Sequence, residues 1–177
     1  LYVAAENAFK INLTDDFTSK ASFIRVSPWF DIHKKGMAGK GADVIQEFDN
    51  SWHYNWSTSG SDIGDAKFVP NQWAGGSVAN AISLGNRMDI AHYMAFNEPD
   101  GAAQANMTPD EAIALWPQLE ALGVPLGSPA TVSPNNEWMV EFMEKAEAEN
   151  LRIDFIAVHS YGGPSVLSLI NKLKDTY

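Results

Sequence analysis

The feature that most constrains this sequence is an alternation. Short apolar runs, most bounded by Gly, Pro, Asn or Asp, are separated by longer segments, several with helical periodicity. The runs are SFIRVSPWF (22–30), SWHYNWS (51–57), AKFVPNQW (66–73), IAHYMAFN (90–97), VPLGSPA (124–130) and IDFIAVHS (153–160). Bounded runs of this kind read as strands. The helical segments include TPDEAIALWPQLEALG, NEWMVEFMEKAEAEN and SVLSLINKLK. In the first, Thr108 is set as N-cap, Pro109 takes the first helical position and Glu111 closes a capping box. Ile113, Leu115, Trp116, Leu119 and Leu122 form its apolar side, Gly123 stops it, and Pro117 predicts a kink. The second places Trp138, Met139, Phe142, Met143 and Ala146 on one face and ends at Asn150. The third repeats the pattern with Val166, Leu169, Ile170 and Leu173.

Strand, helix, strand, helix in that order means a parallel sheet with helices outside it. The residues with chemistry to offer sit at the C-terminal ends of the runs: Trp29, Trp56, Trp73, Asn97, Glu98 and the His159–Tyr161 segment. In a (β/α)₈ barrel that rim carries the active site. Such a barrel has eight strands and typically about 250 residues. With its six runs in 177 residues, the chain reads as an α/β protein, a TIM barrel lacking its last two β/α units. Residues 1–20 read as a lead-in and 21–177 as the barrel. The alternative is an open, doubly wound sheet of six strands, complete as written. It is disfavoured because no Gly-rich nucleotide loop follows the first strand.

Composition narrows the function. A net charge of −10 leaves nothing to neutralise phosphates and argues against nucleic acid. No apolar run reaches the roughly 18 residues of a membrane span. The chain has no cysteine, which excludes disulfides and thiolate metal sites, and His33, His53 and His92 share no metal spacing. No metal or cofactor is expected. Six Trp and five Tyr suit a neutral polar ligand, because aromatic faces stack on sugar rings.

The stretch HYMAFNEPDGAAQANM (92–107) carries the chemistry. Hydrolysing a glycosidic bond calls for two carboxyl groups flanking it, one to protonate the leaving oxygen. Glu98 follows an apolar strand, so its surroundings are partly desolvated, as general acid catalysis requires. Pro99 fixes the backbone directly after it, and Asn97 offers an amide to a sugar hydroxyl. The bland reading is that Glu98 only starts a loop or caps a helix. In the following loop, Gln104 and Asn106 either bind hydroxyls or tie the loop to the next helix. In SWHYNWS, Trp52, Tyr54 and Trp56 share one face of a strand and His53 and Asn55 the other. Trp52 reads as packing and Trp56 as a sugar platform.

Taken together and in this order, SWHYNW, FNEPDGAAQANMTPDEAIALW, LGSPA and IDFIAVHSYG resemble glycoside hydrolase family 128, within the retaining barrel glycosidases of clan A. The resemblance covers roughly residues 50–163. FIRVSPWFDIHKKGMAG also looks like a first barrel strand and its loop. The resemblance implies a (β/α)₈ barrel and endo-β-1,3-glucanase activity on a laminarin- or curdlan-type glucan, outside the cell or in the periplasm. By resemblance Glu98, on the fourth strand, is the general acid/base and Asn97 contacts the 2-hydroxyl next to the scissile bond. Tyr54, Asn55, Trp56, His159 and Tyr161 line the glucan cleft, with Trp29 and Trp73 joining them from the strand ends. The Asn71-Gln72 pair departs from the family's more apolar run. The nucleophile of such enzymes is a Glu ending the seventh strand. The only acidic residue after Tyr161 is Asp175, so the nucleophile is expected outside this chain. Two alternatives stay open: a barrel that binds β-glucan without cutting it, and a clan A hydrolase of another β-glycan.

Overall fold

The computed structural model describes residues 35–78, 81, 84, 90–161 and 166–177. The run 22–30, Trp29 and the lead-in 1–20 lie outside the described residues. Among the described residues, five strands and four α-helices follow in order. They are β1 (Gly36–Ala38), α1 (Ala42–Glu47), β2 (Trp52–Tyr54), β3 (Lys67–Phe68), β4 (Tyr93–Asn97), α2 (Pro109–Glu120), β5 (Leu126–Ala130), α3 (Glu137–Ala148) and α4 (Val166–Lys174).

All strand pairings are parallel: β1 with β2, β2 with β3, and β4 with β5. The two sheets continue into one another. Met94 N donates to Pro70 O at 3.0 Å, Gln72 N to Met94 O at 2.7 Å and Asn97 N to Trp73 O at 3.0 Å. On the far side, Gly127 bridges Phe155 in parallel. Each strand therefore neighbours its sequence successor, from β1 to the segment around Phe155. A doubly wound sheet reverses direction at a central first strand. Here β1 pairs only with β2 among the described residues, and the order runs one way.

Two expectations need correction. The sequence places 36–38 in a loop, whereas the structure makes it β1. Gly-Met-Ala carries no strand propensity, but Trp52 needs the space. A Cβ on Gly36 would lie 2.1 Å from the Trp52 ring, so only glycine lets β2 pair there. Counted from this strand, Glu98 still follows the fourth. The run 153–160 forms one isolated bridge rather than a strand. Among the described residues its backbone–backbone hydrogen bonds go to β5: Asp154 N to Leu126 O and Ser128 N to Phe155 O, both 2.9 Å. Among the described residues it has a ladder partner on one side only.

The helices follow their sequence signals. In α2 the Thr108 side chain accepts from Glu111 N and the Glu111 carboxylate accepts from Thr108 N, the reciprocal box expected. Helix α2 runs through exposed Pro117 without a break. The core forms where α2 and α3 cover β4 and β5. Trp116 lies edge-on to Phe96 at 6.2 Å and to Phe142 at 5.0 Å, and Trp138 stacks on Phe142 at 5.6 Å. Trp116, Phe96 and Phe142 are fully buried. Trp116 Nε1 donates to Arg152 O at 3.0 Å, so its burial orphans no donor.

Removing Phe142 would open a void between two indoles. Phe142→Ala is expected to cost about 3–5 kcal/mol, read as a fall in the urea unfolding midpoint at unchanged slope.

Candidate active site

A cleft of about 540 Å³ opens at the C-terminal ends of the strands. It is lined by Tyr54, Trp56, Trp73, Asn97, Glu98, Gln104, His159 and Tyr161. The sequence names seven of these eight. An apolar groove of about 370 Å³ lies among Trp52, Val69, His92, Met94, Pro125, Asp154 and Phe155; it contains none of the cleft residues.

Glu98 is the centre of the cleft and is nearly buried, at 9% exposure. Its φ is +45°, in the left-handed region that costs a non-glycine residue of order 1–3 kcal/mol. The strain is held by Glu98 N donating to Ala130 O at 2.7 Å and Gly101 N donating to Glu98 O at 2.9 Å. This turn is what directs the side chain into the cleft as the chain leaves β4.

The two polar groups of the His159–Tyr161 segment meet one carboxylate oxygen. His159 Nδ1 lies 2.9 Å from Glu98 Oε1, and the Tyr161 hydroxyl donates to the same Oε1. With Glu98 ionised, Oε1 only accepts and Nδ1 is the protonated ring nitrogen. Among the described residues no hydrogen bond is made to Oε2, which is left for a ligand. Hydrogen bonding to the Glu98 carboxylate, with a smaller contribution from burial, pushes the Tyr161 phenol up to about 12. His159 and Tyr161 therefore act on Glu98 first, a role the sequence reading assigned to the glucan.

The opposite wall is aromatic. Trp56 is 42% exposed with φ +57°, and its ring meets Tyr54 edge-on at 5.1 Å. Beneath it sits Gly39, whose φ is +56°, and a Cβ there would come within 2.5 Å of the indole. Gly39 N donates to Tyr54 O at 2.8 Å. The seat of Trp56 was not legible, because an isolated glycine carries no signal of what rests on it. Trp52 stacks on Tyr54 at 6.2 Å and stays out of the cleft.

Asn55 is placed differently from the expectation. Its Nδ2 donates to Ser59 O at 3.1 Å and its Oδ1 accepts from Ser57 N at 3.2 Å. The side chain closes the turn after β2 and is not part of the cleft lining. Gln72 explains the polar departure after Phe68. It is fully buried, accepts from Tyr93 OH at 2.9 Å and donates to Ala74 O at 2.6 Å. It is a satisfied core amide rather than a cleft contact.

On the acid side, Asn97 Nδ2 donates to Gln104 Oε1 at 3.1 Å. Gln104 thus both ties its loop and enters the cleft, whereas Asn106 is exposed and outside the lining. Among the described residues, no group of three His, Asp or Glu side chains is placed to hold a metal ion.

The raised Tyr161 phenol gives a signed prediction. Its hydrogen bond stabilises the fold fully below the ordinary value near 10 and is lost as pH rises through about 12. In an ultraviolet absorbance titration, Tyr161→Phe should remove a transition near pH 12, and Glu98→Gln should return that transition toward 10.

Residues 36–177 match the family model described as glycosyl hydrolase catalytic core. The alkali-sensitive linkage protein 1 of Schizosaccharomyces pombe is 35% identical over 145 residues, covering 73% of this chain and 26% of that protein. A mutant of an Amycolatopsis mediterranei family 128 (subgroup I) endo-β-1,3-glucanase, in complex with laminaritriose and laminaribiose, superposes with a TM-score of 0.70 at 31% identity. The match covers 80% of this chain and 64% of that one. A curdlan-specific exo-β-1,3-glucanase of the same family (subgroup III) from Blastomyces gilchristii, in complex with glucose, gives 0.62 at 31% identity over 80% and 67%. The chain spans about a quarter of the curated relative it matches and 64% of the first of these structures. With one family model over four-fifths of its length and family 128 structures at this level of identity, the chain belongs to glycoside hydrolase family 128.

Proposed function

We propose that this chain is the catalytic core of a β-1,3-glucan hydrolase that retains anomeric configuration. Its described strands form one arc of a (β/α)₈ barrel. The observation that carries the reading is Glu98, nearly buried at a parallel strand's end in the lining of an aromatic cleft, with Oε1 engaged by two donors and Oε2 without a hydrogen bond among the described residues. The unidirectional strand order and the glucanase relatives support it.

In the first step Glu98 Oε2 gives its proton to the glycosidic oxygen as the bond to the anomeric carbon breaks. A second carboxylate attacks that carbon from the opposite face and forms the glycosyl-enzyme. In the second step Oε2 takes a proton from water, whose oxygen attacks the same carbon and frees the second carboxylate. Such pairs stand about 5–5.5 Å apart. Among the described residues lining the cleft, Glu98 is the only carboxylate, and Asp175 lies at the end of α4. The nucleophile is therefore assigned outside the described cleft. Trp56, Trp73 and Tyr54 stack on sugar faces, and Asn97 contacts a hydroxyl next to the scissile bond. A polymeric glucan is met outside the cytoplasm, so the enzyme works extracellularly or in the periplasm.

The lone carboxylate favours one competing reading, a protein that holds β-glucan without cutting it. Reducing-end release from laminarin or curdlan by the full-length natural protein separates the two. Glu98→Gln is expected to lower turnover by about 10²–10⁴-fold while preserving affinity for laminari-oligosaccharides. Wild-type turnover in that variant rules out the acid/base role. Proton NMR of the first-formed product reads the anomeric outcome, and inversion would exclude the retaining mechanism.

Gly39→Ala tests the aromatic wall without touching the acid. The added methyl must displace the Trp56 ring and strains a positive φ. A rise in KM for laminari-oligosaccharides of about tenfold, with kcat little changed, is the expected result.

A further inference from the structure

The loop after Glu98 is built to hold one side chain, Gln104, beside the acid. Asp100 anchors its start: its carboxylate accepts from Val132 N at 3.1 Å and 3.2 Å and from Asn136 Nδ2 at 2.7 Å. The loop then curls back on the strand it left. Gln104 N donates to Gly101 O at 2.9 Å, Ala105 N to Asn97 O at 3.2 Å and Met107 N to Pro99 O at 2.9 Å. The Gln104 stem lies on Gly101, where a Cβ would come within 3.1 Å of Gln104 Cγ. The result is a second amide fixed against the Asn97 amide in the cleft wall.

The chemistry of two joined amides is specific. Asn97 Nδ2 donating to Gln104 Oε1 uses one donor and one acceptor. It leaves the Asn97 Oδ1 acceptor and the Gln104 Nε2 donors, for which no partner is recorded among the described residues. An acceptor and a donor on adjoining amides match one hydroxyl, which gives one hydrogen and takes another. Asn97 directly precedes the acid, so the hydroxyl met there belongs to a sugar bordering the scissile bond.

We propose that Asn97 and Gln104 form a paired-amide reader for a single ring hydroxyl of that sugar, with Gln104 as a further substrate-binding residue. This rests on the hydrolase reading above, which supplies the sugar and its position. The two amides hold each other, so little ordering entropy remains to be lost on binding. A site built to bond a hydroxyl discriminates against a ligand lacking it, because its polar groups are then left unpaired.

The test couples a residue to an atom of the substrate. Aryl laminaribiosides, each lacking one ring hydroxyl of the sugar next to the leaving group, are assayed with the full-length natural protein and with Gln104→Met and Gln104→Glu. Gln104→Glu keeps the acceptor for Asn97 and removes the donor to the ligand. Both variants are expected to lose about tenfold in kcat/KM on the parent glycoside. Both should lose nothing further on one monodeoxy analogue only. An equal penalty on every analogue assigns Gln104 to loop structure and overturns the proposal. If the wild-type protein hydrolyses none of these glycosides, the hydrolase reading fails by itself. Calorimetric binding of the same deoxy series then decides the amide pair by the same criterion.

Discussion

The convergence of two donors on one oxygen of Glu98 is the interaction on which the rest of the site depends. A nearly buried carboxyl that must gain and lose a proton needs one fixed oxygen and one free one. His159 and Tyr161 occupy Oε1, and in the proposed reaction the proton transfer falls to Oε2. Glu98 meets both donors from a left-handed backbone, φ +45°, rather than from an extended strand. The strain at this residue and the two hydrogen bonds to its carboxylate are thus parts of one arrangement. Strain of this kind persists only where the surroundings over-determine it.

Much of this was legible, for physical reasons that differ from place to place. Helix α2 was legible because its cap, its proline and its stop are local signals whose partners lie within one turn. Glu98 and Asn97 were legible because an apolar strand ending in Asn-Glu-Pro is unusual and the neighbouring motifs carry the family resemblance. Strand β1 was not, since its pairing rests on what Gly36 lacks and on the Trp52 ring sixteen residues later. Asn55 misled for a related reason. It sits in a motif of cleft aromatics, yet an Asn in a turn readily spends its amide on nearby backbone. The role of Gln104 was left open between loop and ligand; its hydrogen bond to Asn97 ties the loop while its side chain stays in the cleft lining.

The cleft has two walls that come from different sheets. Strands β1 to β3 bring the aromatic side, and β4 and β5 with the His159–Tyr161 segment bring the acid side. What sets their separation is the backbone pairing of 70–73 with 94–97, three hydrogen bonds with no side chain involved. That pairing tolerates Pro70 because it uses only the proline's carbonyl. A rigid spacing of this kind suits a ligand of fixed thickness such as a pyranose ring.

The direction of the acid wall has a further cause in the register of β4 on β5. Tyr93 pairs with Leu126 and Met94 with Gly127, but Ala95 pairs with Pro129 and Asn97 with Ala130. Ser128 is skipped on one strand and Phe96 on the other. Pro129 has no N–H to give the ladder, and strand prolines are confined to edges and bulges. The skipped Ser128 turns away to serve the next segment, accepting from Ala157 N at 3.0 Å and donating its backbone N–H to Phe155 O. The skipped Phe96 turns to Trp116 in the core. The skip on β4 leaves Ala95 and Phe96 both in the core and moves the next residue by one step of the pleat, so Asn97 reaches the cleft instead of the helix layer. The skip at Phe96 therefore aims the Asn97 amide, and Glu98 follows it out of the strand with its own left-handed turn.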